Sequence, residues 1–356
     1  MKKAKRTLTV LVAVLCLVVA ALVAMSLINA RNNRRAEEEK EAAIINLGNI
    51  GEADRLVLNC GKNGEDITFV LEDETWYAES MRGLTLDQNT VGHIAEEVSG
   101  LKAERKVEIK EDVSYYGLDE PRFHLTASDP EGHSISLLTG KSFDTVAGTK
   151  YYVMEPGGTE IYTVDSDLVK ALDYSVYDMA KPDSFTVLTE DNIDSITVKD
   201  GKGTELYFEK KTEQADNGEF EYTWFLKTKD GLVQTSDVTL NPNNAGETTA
   251  KGYIDAILKN FTRCFFYKTC DFDRTDADLK SEFGFDGLTV EIADTAENDD
   301  GETVSEKITI VFGSDFTEED DFTYAKFPDS GQVNCMTTRR VAPFREALAD
   351  LAEVVR

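Results

Sequence analysis

Catalysis in this chain would have to rest on few groups. Its 356 residues include three histidines, His93, His124 and His133. No two of them stand in a zinc-binding spacing such as HxxxH. His124 alternates with Phe123 and Leu125, the pattern of a strand side chain turned away from an apolar face. His93 falls in a helical pattern and His133 in the turn sequence PEGHS. A serine nucleophile is expected in a GxSxG elbow or an equivalent context, and neither occurs. Outside the apolar start, cysteines stand at Cys60, Cys264, Cys270 and Cys335, with no CxxC or mixed Cys/His zinc spacing. Read as a strand, CFFYKTC holds Cys264 and Cys270 about 20 Å apart, beyond a disulfide's reach. The default reading is free thiols, with one long-range disulfide and a Cys/His pair brought together by folding left open.

Carboxylates are the other candidate chemistry. DFDRTDAD, Asp271 to Asp278, offers the closely spaced hard oxygens that suit Ca²⁺. It lacks the glycine and the closing glutamate of an EF-hand loop. AENDDGE and TEEDD read as solvated turns, and GKNGED and GKGTE as hairpin turns with no phosphate-binding context. The residues therefore predict no catalytic, cofactor-binding or metal set, and no cofactor.

What must be positioned is a body behind an apolar start. Thr7 to Ala30 carries no charge. As a helix it spans about 36 Å, enough for a hydrocarbon core of about 30 Å. A signal peptide's apolar region is usually only about 7–15 residues, and no small-x-small cleavage site follows this run. An uncleaved anchor over residues 7–30 is predicted, with residues 1–6 in the cytoplasm. Lys2, Lys3, Lys5 and Arg6 precede it and Arg31, Arg34 and Arg35 follow, so charge tips the orientation only slightly toward a cytoplasmic amino terminus. The net charge is −29, and all 67 acidic residues lie after Arg35. Such a body has no footprint for nucleic acid and is repelled from an anionic membrane surface. It is expected to project to the extracytoplasmic side. AEEEKEAAIINLGNI then reads as a charged, helix-prone juxtamembrane stalk over residues 31–50.

The rest reads as one pattern written twice. DRLVLNCGKNGEDITFV matches DSITVKDGKGTELYF, with Leu56 and Leu58 over Ile196 and Val198 in alternating strands joined by a Gly turn. Trp76 of TWY stands over Trp224 of TWF. VGHIAEEVSGL matches KGYIDAILKNF, with Ile94, Val98 and Leu101 over Ile254, Leu258 and Phe261 along one helical stripe. YYGLDEPRFHLT, Tyr115 to Thr126, runs without a gap over FGFDGLTVEIA, placing Gly117 over Gly284, Asp119 over Asp286, Phe123 over Val290 and Leu125 over Ile292. ISLLTG then matches ITIVFG, and YVMEPGGTEIYTV matches YAKFPDSGQVNCM. The predicted fold class is α+β: two tandem copies of a mainly antiparallel sheet-plus-helix unit, residues 51–180 and 181–356, behind one transmembrane helix. AKPDS, Ala180 to Ser184, is the expected boundary.

The glycine motif itself has a folding explanation. Asp112 and Asp276 are expected to cap short helices, because a carboxylate there accepts from unpaired amides. Gly117 and Gly284 then supply the left-handed residue that ends each helix. Leu118 and Phe285 pack back on the stop, and Asp119 and Asp286 turn the chain into the next strand. Gly117, Asp119, Gly284, Asp286, Trp76 and Trp224 are therefore assigned to architecture.

With YGLDEP, LLTG and YYV…EIYTV following it, and TWY ahead of an amphipathic helix, the chain resembles the domain-of-unknown-function 4340 family over roughly Asp54 to Met179. The second unit carries a degraded form, FGFDG without the proline. The resemblance implies no catalytic residue. It implies a membrane-anchored accessory protein beside ABC-transporter components of the gliding-motility type, hence other membrane proteins as partners. The expected function is a non-enzymatic extracytoplasmic scaffold or accessory module. The alternative is an exported enzyme, such as an envelope hydrolase, or a sensor of an envelope polymer or small ligand.

Overall fold

The computed structural model describes residues 25–26, 31, 45–48, 50–59, 66–214, 220–240, 248–297, 303–318 and 320–356. The predicted anchor over residues 7–30 lies outside them except for Met25 and Ser26, and so does most of the stalk. Among the described residues no helix is long and apolar enough to cross a membrane. The stalk's end departs from the helical expectation: Ile45–Asn46 is a strand, β1, paired antiparallel to Lys102–Ala103, β5. Backbone pairing there outweighs the helix propensity of the preceding residues.

An eight-stranded sheet comes first in the chain. Its members are β2 (Arg55–Asn59), β3 (Asp66–Glu72), β4 (Thr75–Ala78), β6 (Arg105–Lys106), β7 (Phe123–Ser128), β8 (Ser134–Thr145), β9 (Gly148–Met154) and β10 (Ile161–Asp165). Their spatial order is β4-β3-β2-β7-β8-β9-β10-β6. Helix α1 (Gln88–Ser99) follows β4, and α2 (Ser166–Leu172) follows β10. The strands form where burial alternates. In β7, Phe123, Leu125 and Ala127 are buried while His124 is exposed, the period of two that a pleated strand imposes.

A nine-stranded sheet follows: β11 (Ile193–Lys199), β12 (Glu205–Gln214), β13 (Phe220–Thr228), β14 (Gly231–Gln234), β17 (Lys268–Phe272), β18 (Leu288–Glu297), β19 (Thr303–Thr317), β20 (Asp321–Lys326) and β21 (Gln332–Thr337). Their order is β14-β13-β12-β11-β18-β19-β20-β21-β17. The small pair β15 (Thr239–Leu240) and β16 (Thr248–Thr249) leads into α3 (Ala250–Phe261). The short α4 (Asp276–Ser281) precedes β18, and α5 (Thr338–Val355) follows β21. Every pairing described is antiparallel, so the fold is mainly antiparallel sheet with few helices. The stripe expected on each helix is inside: Ile94, Val98 and Leu101, and Ile254, Leu258 and Phe261, are all buried. Leu101 lies just beyond the end of α1.

Register corrects one match made along the sequence. Leu58 pairs with Leu125, and Phe123 with Thr139, the residue before Gly140. In the second sheet Val198 pairs with Val290, and Leu288 with Phe312, the residue before Gly313. The strand residue that answers Phe123 is thus Leu288, not Val290, and Leu125 answers to Val290, not Ile292. His124 answers to Thr289 rather than Glu291. Glu120 and Pro121 are two extra residues in the first turn, which a gapless alignment absorbs unseen. Strand pairing exposes them because a side chain's face and partner are set by register.

The chain divides into two compact units, Met1–Thr68 with Gly92–Asp173, and Phe69–Val91 with Tyr174–Arg356. Within the second, the segment around AKPDS is held by backbone bonds rather than left as a free linker. Asp87 N–H donates to Met179 O and Lys181 N–H to Thr85 O, both at 2.8 Å. Gln332 seals this turn with its side chain, accepting from Thr85 N–H and donating to Lys181 O. The core of that unit collects one face of its sheet against α3 and α5, which also pack on each other. At its centre Phe344 meets Phe261 edge to face at 4.9 Å. In the first unit, Tyr116, Leu118, Met154 and Ile161 form a smaller cluster under the 3₁₀ turn Val113–Tyr116.

Candidate functional site

The most organised local feature is built around four glycines. Gly117 ends the 3₁₀ turn at φ +69°, and its N–H donates to Ser114 O. Gly284 sits at φ +68° after α4. Each glycine is covered by a bulge in a neighbouring strand. The β8–β9 register shifts between Thr139 and Ser142, and the β19–β20 register between Phe312 and Asp315. Gly140 and Gly313 lie in those bulges. A Cβ on Gly140 would fall 2.3 Å from Tyr116 O, and one on Gly313 would fall 2.2 Å from Phe283 O. Backbone therefore touches backbone where the turn meets the sheet, which only a residue without Cβ permits. Ser314 fastens the second contact, its N–H and Oγ both donating to Phe283 O at 2.8 and 3.1 Å.

Aromatic rings flank both contacts. Tyr116 meets Tyr152 edge to face at 5.0 Å, and Phe143 stacks on Tyr152 at 4.6 Å. Phe283 meets Tyr324 edge to face at 5.0 Å, and Phe316 stacks on Tyr324 at 4.2 Å. Edge-to-face and offset pairs of this kind are the stable aromatic geometries. Trp76 and Trp224 are both buried at 6% exposure, on β4 and β13. Gln88 brackets the Trp76 backbone, accepting its N–H at 2.6 Å and donating to its carbonyl at 3.1 Å. Thr235 donates to the Trp224 carbonyl through both N–H and Oγ1.

The caps differ from expectation. Asp112 stands at the N-cap of its turn, but its side chain makes no capping bond. Asp276 lies inside α4, and Thr275 is the cap, accepting from Asp278 N–H. A hydroxyl one residue earlier reaches the free amide, while Asp276 is left in the first turn, where negative charge is still favourable. Asp119 and Asp286 are exposed, and among the described residues neither carboxylate accepts a hydrogen bond. Asp119→Asn is therefore expected to leave the denaturation midpoint within about 0.5 kcal/mol of the parent. A folded Asp119→Asn protein that lost its biological role would overturn the architectural assignment of this residue.

Other groups that could do chemistry are engaged elsewhere. Asp129 accepts from the N–H groups of Gly51, Glu131 and His133 and pairs with His133 Nδ1 at 2.9 Å. These bonds, led by that from Gly51, hold its pKa down at about 2. Asp271, the head of DFDRTDAD, takes a two-pronged bond from Arg274 and another from the Tyr177 hydroxyl. Burial, with Asp271 beside it, pushes Tyr177 up to about 12. Among the described residues no group of three or more His, Cys, Asp and Glu could hold a metal ion. Lys150, buried in the first unit, is neutralised by Glu104 and Asp165. One contact invisible in the sequence is His124 Nε2 against Ser136 Oγ at 2.9 Å, in an open cleft of about 570 Å³ that Glu155 also lines. Ser136 also bonds Thr126 Oγ1. Among the described residues no acidic group bonds the imidazole, a partner that a working serine–histidine pair requires. The cysteine run also needs correction: only Lys268–Phe272 of that region is strand, and Cys264 lies ahead of it.

These features define a mainly antiparallel protein with two large sheets, in which each glycine turn is joined to its sheet by a backbone contact. The chain belongs to the domain-of-unknown-function 4340 family: the model described as Domain of unknown function (DUF4340) matches residues 76–257, just over half of its length. The match begins at Trp76 on β4 and ends at Ile257 in α3, so it covers part of each sheet rather than the earlier span Asp54 to Met179. No curated protein and no solved structure matches the chain.

Proposed function

We propose that this chain is a non-enzymatic, membrane-anchored extracytoplasmic accessory module that contacts other membrane proteins, ABC-transporter subunits among them. The observation that carries this reading is where large apolar side chains remain in water. Phe265 and Tyr267, 65% and 55% exposed, lead directly into β17, the last strand on one side of the nine-stranded sheet among the described residues. Ile109, Val113 and Tyr115 are exposed just after β6, the edge strand of the eight-stranded sheet. Exposed apolar groups beside an unpaired strand edge suit a protein partner, which can add a strand and cover the rings. Affinity capture from solubilised membranes tests it. Transporter subunits are expected to co-purify with the parent, and Phe265→Ser with Tyr267→Ser is expected to lose them. Undiminished capture by the double variant would reject this edge.

We further propose that residues 51–180 and 181–356 are tandem copies of one unit. In support, β4-β3-β2-β7-β8-β9-β10-β6 runs in the same order as β13-β12-β11-β18-β19-β20-β21-β17. The pairs Tyr152–Thr163 and Tyr324–Cys335 occupy equivalent places, as do the two bulge glycines. The membrane arrangement is a reading of the uncharged run Thr7 to Ala30. Protease added to intact protoplasts is expected to remove the body and leave a small membrane-bound fragment. Protection of the whole chain would reverse the topology. The second reading, an exported enzyme, has the His124–Ser136 contact in its favour. Labelling of Ser136 by a serine-reactive phosphonate, abolished by His124→Ala, would move the balance to it.

A further inference from the structure

The edge strand β17 carries a second feature, formed by two thiols far apart in sequence. Strand β17 lies antiparallel to β21, with Lys268 opposite Cys335 and Thr269 opposite Asn334. The register then shifts, and Asp271 pairs with Val333. Cys270 is therefore the extra residue of a bulge. Thr269 and Asn334 hold the register with a buried side-chain bond at 3.2 Å, which fixes the face on which the neighbouring side chains stand. In an unbulged ladder Cys270 would sit diagonally from Cys335, at about 7–8 Å, beyond disulfide geometry. A bulge bends the strand and adds local twist, and that can draw a diagonal neighbour inward. Cys335 is fully buried and Cys270 half-buried, so Cys270 is the more accessible of the two residues.

We propose that Cys270 and Cys335 form a disulfide that ties the edge strand β17 to β21 when the protein meets a disulfide-bearing oxidant. Cys270, the more accessible thiol, gives up its proton and attacks one sulfur of the oxidant, displacing the other as a thiolate. The Cys335 thiolate then attacks the Cys270 sulfur of the mixed disulfide and displaces the second thiolate. Two protein thiols lose two protons and two electrons, and the oxidant's disulfide becomes two thiols. The surroundings favour Cys335 as the resolving group. Hydrogen bonding from Cys270, the Lys268 amide and the Lys268 ammonium bring its pKa down, against burial. The same pairing and burial raise that of Cys270, so oxidation is expected to quicken with pH. Cys264 is a contrast: burial pushes it up to about 12, leaving an inert thiol. The proposal does not depend on which side of the membrane the body occupies.

The test uses the full chain and oxidised glutathione as the oxidant. After treatment, free thiols are alkylated in denaturant and the digest is analysed by mass spectrometry without reductant. A linked peptide containing Cys270 and Cys335, two hydrogens lighter than the sum of its parts, is expected. Cys264 should be alkylated throughout, and the oxidised protein should melt at a higher temperature than the reduced one. Cys270→Ser and Cys335→Ser should each abolish the linked peptide. Recovery of both thiols alkylated, a stable glutathione adduct on Cys270 with Cys335 free, or a link to Cys60 or Cys264 instead, would each overturn the proposal. The parent protein alone decides among these outcomes, so a variant that folds poorly does not blunt the test.

Discussion

Gly313→Ala is expected to destabilise the second unit by about 3 kcal/mol, the upper end of the range for overpacking a filled site. The new methyl would lie 2.2 Å from Phe283 O and 3.1 Å from Tyr324 Cβ. Neither neighbour can give way cheaply. Phe283 O already accepts from Ser314 N–H and Oγ, and the Phe283 ring is buried against Tyr324. Gly313's own carbonyl is held by Arg345 at 2.9 Å, so the bulge cannot slide aside without breaking that bond. Gly140→Ala meets the same collision, at 2.3 Å from Tyr116 O, with Leu118 Cγ at 3.0 Å. Gly117→Ala and Gly284→Ala carry the left-handed penalty, about 1–2 kcal/mol. Gly132→Ala is a control for that penalty alone, because φ there is +89° and no atom lies within 4 Å of an added Cβ. Denaturant midpoints of the full-length variants rank the two effects. If Gly313→Ala costs no more than Gly132→Ala, the backbone contact is not what holds the turn to the sheet.

How much of this was legible in the sequence depends on how local each cause is. Alternation in Leu56, Leu58, Phe123 and Leu125 reports a strand face directly, and these residues are buried. Ile254, Leu258 and Phe261 report a helix stripe in the same way. The positive φ of Gly117 and Gly284 follows from a helix stop written within a few residues. Gly140 and Gly313 read only as strand ends, because what excludes a side chain there is a carbonyl more than twenty residues away in sequence. The two extra residues Glu120 and Pro121 were hidden for a related reason: a turn can absorb an insertion that only the pairing partner detects. Cap identity turned on a single position, Thr275 against Asp276, where side-chain reach decides and composition does not. The neighbourhoods of His124 with Ser136 and of Cys270 with Cys335 are products of strand register. No spacing rule along one chain contains them.

Asp294→Asn is expected to stabilise the protein at pH 7, by about 1.4 kcal/mol for each unit by which burial and like charge raise the carboxyl's pKa. Asp294 lies on β18 between Ile193 and Glu306, only 1% exposed, and among the described residues neither carboxylate oxygen has a hydrogen-bond partner. Burial raises its pKa, and Glu306 and Asp194 nearby raise it further. Both neighbours are themselves occupied, Asp194 by Thr295 Oγ1 and Glu306 by Thr186 Oγ1, so neither can share a proton freely. The sign follows from linkage. A carboxyl whose folded-state pKa lies above its unfolded value contributes stability that is complete below about pH 3.9 and is lost as pH rises through the folded pKa. Asparagine keeps the size and removes the charge, so its advantage should be absent near pH 4 and grow toward neutrality. Midpoints of parent and variant measured across that interval should diverge as pH rises. A variant less stable than the parent at pH 7 would sink the argument, since the carboxylate would then have to be stabilised by its ionised state rather than strained by it.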